Sequence, residues 1–137
     1  MVRRRVRRGR AGRRAAASLA KKASTVASVA TTLLDVAPDG IDRAASAQAV
    51  TEGVILGAYR FDTYKSAAKP SKLKKVVLLG KTSAAVTNAV KRGQIIAGAV
   101  VWSRNLQNEP SLVKPPEVVA KLTQQLLRGK GVTVKVY

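Results

Sequence analysis

Seven carboxylates are the residues in this chain best suited to catalysis, and they are dispersed. Asp35, Asp39, Asp42, Glu52, Asp62, Glu109 and Glu117 fall about one to a segment. Two-metal hydrolysis needs acids clustered tightly enough to hold two cations ~3.5–4 Å apart. No run of this sequence supplies them, so the expected set of catalytic and metal-ligating residues within the chain is empty. Glu52 and Asp62 are the only acids between Val50 and Leu106. Separated by ten positions, they read as a cap or surface ion pair rather than an acid–base couple. Histidine and cysteine are both absent. That removes the commonest general base, the commonest metal ligand, any thiolate nucleophile and any disulfide.

Phosphate loops fare no better. Gly80-Lys-Thr-Ser83 has only the tail of a P-loop, because Val76–Leu79 read as strand where the earlier glycine would stand. Arginine remains. The net charge is +19, and residues 1–22 carry eight arginines plus Lys21 and Lys22 with no acid. The candidate nucleic-acid contacts are therefore Arg3, Arg4, Arg5, Arg7, Arg8, Arg10, Arg13 and Arg14. Arginines that neutralise phosphates release counterions, so such binding is tight at low salt and lost steeply as salt rises. No aromatic side chain is interleaved among them, so base stacking is not indicated. Residues 1–14 have too much like charge and too little apolar surface to collapse, and read as a disordered, solvated arm, helical toward Ala15. The first 34 residues, rich in Arg, Ala and Ser and free of acids, leave organellar targeting as a minor alternative.

The positioning elements follow from periodicity. At 137 residues and 46% hydrophobic, one ordinary domain is the starting expectation, and no run is long enough to span a membrane. Thr82–Pro110 carries small and apolar residues at helical spacing, with Ala85, Ala89, Gly93 and Ala97 making a stripe that another backbone can approach. Thr82 or Ser83 can cap its start, and Pro110 marks its end. Ala15–Ala23 favours helix. Val26–Leu33 suits a largely buried strand, followed by a turn at Ala37-Pro-Asp-Gly40. A second helix carries Ala47, Val50, Val54, Ala58 and Phe61 on one face, with Gly53 and Gly57 on a closely approached one. Lys74–Gly80 reads as a strand covered on both faces. The order helix–strand–helix–strand–helix is α/β grammar with a parallel sheet.

Glu52-Gly-Val-Ile-Leu-Gly-Ala-Tyr-Arg-Phe-Asp-Thr-Tyr-Lys65 resembles the E-G-x-x-L-G-x-Y-x-F-x-x-Y-K segment of the leucyl (cytosol) aminopeptidase family. Ser103-Arg-Asn-Leu-Gln-Asn-Glu-Pro110 is similar to that family's A-R-D-L-x-N-x-P, with Asn105 and Gln107 as departures. Pro115-Pro-Glu117, a helix and Val132–Val136 resemble the start of its catalytic domain. The resemblance implies an α/β fold with a partial parallel or mixed sheet, packed helices, a long connecting helix, then a helix and strand of a second domain. Its expected boundaries are the basic arm at 1–14, the later half of the N-terminal domain at 15–81, the connecting helix at 82–109 and an incomplete catalytic domain at 110–137.

It also implies a cytoplasmic, hexameric metalloaminopeptidase that uses two divalent metal ions, manganese or zinc, to release N-terminal residues from peptides. The family's N-T-D-A-E-G-R motif does not occur in the sequence. This chain is thus expected to be scaffold, inactive without the remainder of the catalytic domain. Gly129-Lys-Gly-Val-Thr133 imitates a metal-binding segment of the family but lacks the Asp that would share a metal with Lys130. The alternative expectation is a small basic nucleic-acid-binding protein using the Arg-rich arm.

Overall fold

A computed structural model describes residues 2–36 and 42–136, with side chains from residue 10 onward. The turn expected at Ala37–Gly40 lies outside the described residues. The chain divides into two compact units, Met1–Val101 and Trp102–Tyr137.

The first unit begins with helix α1, Val2–Lys22. The stretch expected to be a disordered arm is therefore helical almost from its start. Arg and Ala are both strong helix formers, and from Arg13 onward α1 is seated against a second helix, which compensates for the like charge. A single 3-10 turn, Ala23–Thr25, leads to strand β1, Ser28–Thr31.

Helix α2, Arg43–Ala58, starts at Asp42, whose carboxylate accepts from the Ala45 amide at 3.1 Å. This satisfies one of the donors that the first turn leaves orphaned. The helix stops before Phe61, which the sequence pattern had included in it. Arg60 and Lys65 instead fold the chain around Asp62, and Phe61 leans on Tyr64 with ring centroids 5.9 Å apart.

Strand β2, Lys75–Leu78, pairs in parallel with β1, Ser28 opposite Lys75 and Thr31 opposite Leu78. The unit is thus a β–α–β crossover preceded by one helix and followed by another. Both strands alternate, with Val29, Thr31, Val76 and Leu78 half-buried and the intervening residues exposed. This corrects the expectation of a sheet covered on both faces. Leu78 packs on the helical core, while Val77 and Leu79 are exposed.

Helix α3, Ala84–Asn108, begins at Ser83, whose hydroxyl accepts from the Val86 amide at 3.3 Å. Val86, Ala89, Gly93 and Ala97 are its buried residues, close to the small-residue stripe read from sequence. A Cβ at Gly93 would stand 3.0 Å from both the Gln48 carbonyl and Thr51 Cβ, so α2 comes almost to van der Waals contact there. The core of the unit collects Ala16, Leu34, Ala47, Val50, Val86 and Ala89.

In the second unit, the last turns of α3 lead through a 3-10 turn, Ser111–Val113, to helix α4, Pro116–Leu127. Lys114 Nζ donates to the carbonyls of Leu106 and Gln107 at 2.8 and 3.2 Å, placing a cation on the acceptor end of α3. Gly129 and Gly131 take positive φ of 72° and 73° after α4, as a helix-terminating turn requires. Val132–Val136, expected as a strand, is not one. A strand exists only by pairing, and among the described residues only β1 and β2 pair.

Candidate functional site

The carboxylates that sequence reasoning set aside as structural are tied down one by one. Glu52 sits in the middle of α2 and is buried. It accepts from Arg13 of α1 at 2.6 Å and from Gln48, one turn earlier, at 2.8 Å. A buried carboxylate needs such partners, because dehydrating an unpaired charge costs several kcal/mol. Asp62 bonds Lys65 at 2.6 Å and Arg60 at 3.0 Å. The Lys65 ammonium, with Arg60 beside it, holds this carboxyl below its ordinary value of 3.8 against the opposing effect of desolvation. Asp35 bonds Arg43 at 2.7 Å.

The GKTS stretch is likewise occupied. Gly80 has φ 128°, and the guanidinium of Arg43 and the carboxylate of Asp35 close directly over it. Arg43 Nε also donates to the Lys81 carbonyl at 2.9 Å. A guanidinium lies where a phosphate loop would need an anion. Lys130, the other decoy, stands in the exposed turn after α4. Among the described residues, no group of three or more His, Cys, Asp or Glu can hold a metal ion.

The arginines named from sequence all fall on α1. Arg3, Arg4, Arg5, Arg7 and Arg8 occupy its first turns, and Arg10, Arg13 and Arg14 its middle. They do not share one role, since Arg13 is committed to Glu52 while Arg10 and Arg14 are exposed. Two features were missed by sequence reasoning. One is the Arg13–Glu52 pair, signalled by a lone acid inside an otherwise small and apolar helix. The other is a second basic cluster, between Arg60 and Lys75, signalled by five lysines within eleven residues from Lys65.

The segment Glu52–Lys65 runs from the buried middle of α2, at Glu52, Gly53 and Gly57, out to an exposed turn at Thr63–Lys65. Residues 7–68 match the N-terminal domain of the cytosol aminopeptidase family. A probable cytosol aminopeptidase of Persephonella marina is 41% identical over 93 residues, covering 66% of this chain and 19% of that protein. The chain belongs to the cytosol aminopeptidase family. Its namesake from Mycobacterium ulcerans is 36% identical over 127 residues, or 90% of this chain and 23% of that protein. The solved structure of the bottromycin maturation enzyme BotP in complex with Mn superposes with a TM-score of 0.74 at 28% identity. It covers 88% of this chain, and the chain covers 24% of BotP. The chain thus spans about a fifth of the length of the curated family members it matches. The family match opens at residue 7, so much of the basic start lies inside the family domain rather than ahead of it.

Proposed function

We propose that this chain is scaffold of a metal-dependent leucyl aminopeptidase. In this reading the intact enzyme releases N-terminal amino acids from peptides with two divalent ions, manganese or zinc. The ions and the catalytic side chains belong to the remainder of the catalytic domain, outside these 137 residues. The assembly is a hexamer and cytoplasmic, the location being in keeping with the name carried by the relatives. What carries the reading is the match of residues 7–68 to the family's N-terminal domain. The manganese bound by BotP supports the choice of metal. The motif residue Glu52 contributes packing here: it fastens α1 to α2 through Arg13. The test is a metal-dependent assay of leucine release from a leucyl arylamide. The purified chain, supplied with manganese or zinc, is expected to release none, and measurable release overturns the scaffold role.

A second reading, contact with nucleic acid through the Arg-rich start, is favoured by one observation. With Arg13 turned to Glu52, Arg10, Arg14 and Lys21 are left exposed on α1. Their spacing of four and seven residues puts them on one side of the helix.

A further inference from the structure

The basic character of the first unit does not end with α1. Where the 3-10 turn at Ala23–Thr25 meets the segment before β2, a cleft of about 880 Å³ opens, lined by Arg60, Lys69, Lys72, Lys74, Ser24 and Ser71 among others. A smaller cavity of about 250 Å³ shares Ser24, Arg60 and Ser71 with it and reaches Lys21 on α1. The two hollows adjoin at those shared residues, and the smaller one extends to Lys21 on α1.

The walls are braced. The Lys72 amide donates to the Ser24 carbonyl at 2.8 Å, and the Lys74 and Lys75 amides to the Ala27 carbonyl at 2.9 and 3.2 Å. These bonds fix the backbone of the lysine-bearing segment against the turn and the start of β1. Arg60 is steadied by Asp62 through its Nε, which leaves the fork of terminal nitrogens for another acceptor. Lys69, Lys72 and Lys74 are exposed, and none of them pairs with a carboxylate among the described residues. Like charges gathered on a fixed backbone repel one another, and a polyanion relieves that repulsion.

We propose that this cleft binds the phosphodiester backbone of nucleic acid, entered along α1. The claim rests on the nucleic-acid reading above and adds to it a second, structured contact. Hydroxyls and cations are the donors that phosphate oxygens take. Duplex is the form expected, because the larger cleft carries no aromatic ring on which successive unpaired bases could stack, the one ring nearby being Tyr59 in the smaller cavity. Phosphate contacts alone carry no sequence information, so the binding is sequence-independent.

The experiment is a fluorescence-anisotropy titration of the full chain with a labelled random-sequence duplex at several salt concentrations. Wild type is expected to bind with a steep salt dependence. The exposed-residue variant K69Q/K72Q/K74Q, checked for an unchanged helical circular-dichroism spectrum, should bind at least about tenfold more weakly. Its slope of log affinity against log salt should fall by about 1 per lysine removed. Wild-type affinity and slope in that variant, together with weakened binding by R10Q/R14Q, overturn the cleft and leave the helix contact standing. Absence of salt-dependent binding by wild type overturns both. Tighter binding of phosphatidylserine vesicles, or of inorganic polyphosphate, than of duplex overturns the choice of occupant.

Discussion

Helix α2 has one sealed side and one open side, a few ångströms apart. Toward α1 it presents Gly53 and Gly57. A Cβ added at Gly53 would meet the Arg13 carbonyl, and one at Gly57 would stand 2.5 Å from Ala17 Cα and 2.6 Å from its carbonyl oxygen. Toward β2 and α3 it presents Val54, Ile55 and Ala58, and there a cleft of about 450 Å³ remains. Residues 57 and 58 are neighbours in sequence, yet one has no room for a methyl group and the other faces a hollow. The lesson is that the small residues of this chain are not interchangeable. Some are small because a backbone is pressed against them, and others line space that nothing within the unit fills.

The sharpest way to break that contrast is to add the same kind of bulk on both sides. Gly57→Val should destabilise the first unit by about 3 kcal/mol or more, because the obstacle is backbone and cannot rotate away. Ala58→Leu should change stability by less than about 1 kcal/mol, since its added atoms enter the cleft. Urea unfolding of both variants measures the difference, and equal losses would abolish the distinction.

A smaller effect is expected at the ion pair that fastens the sealed side. Arg13→Ala should cost about 1–2 kcal/mol by the same measurement, mostly by leaving the Glu52 carboxylate buried with Gln48 as its remaining partner. Adding Glu52→Gln to that variant should recover part of the loss. If it does not, the burden lies in lost packing of the arginine stem.

The smallest effect is a gain. Gly98 on α3 has nothing within 4 Å of an added Cβ, so Gly98→Ala should raise stability by about 0.5–1 kcal/mol through helix propensity. Its counterpart at Gly93 would press on Gln48 and Thr51 instead. A gain at both positions would mean that α2 and α3 yield more readily than their separation implies.

The sealed seam was legible in the sequence because its signal is a spacing. Gly53 and Gly57 recur at four residues, as do Ala89, Gly93 and Ala97, and helical geometry turns that recurrence into a face. The parallel ribbon followed from the order of elements. The length of α1 was not legible, because charge repulsion and helix propensity point in opposite directions across residues 2–14, and docking of the later turns on α2 decides between them. Nor was the one-sided sheet. Val76, Val77, Leu78 and Leu79 are apolar on both faces, and sequence alone does not say which face this chain covers. The scatter of the seven carboxylates could be read directly, since it depends only on residue types and positions. The basic cleft could not, because it joins Ser24 to Lys74 through folding alone.

The parallel pairing of Ser28 with Lys75 has a kinetic meaning. Partners separated by so much chain can meet only after a large loop has closed, and that closure is entropically uphill before any ribbon hydrogen bond forms. The α1–α2 seam joins separations nearly as long, from Arg13 to Glu52 and from Ala17 to Gly57. Ribbon and seam thus face closure costs of similar size, and this unit has no short-range nucleus that spares it from bringing distant parts of the chain together.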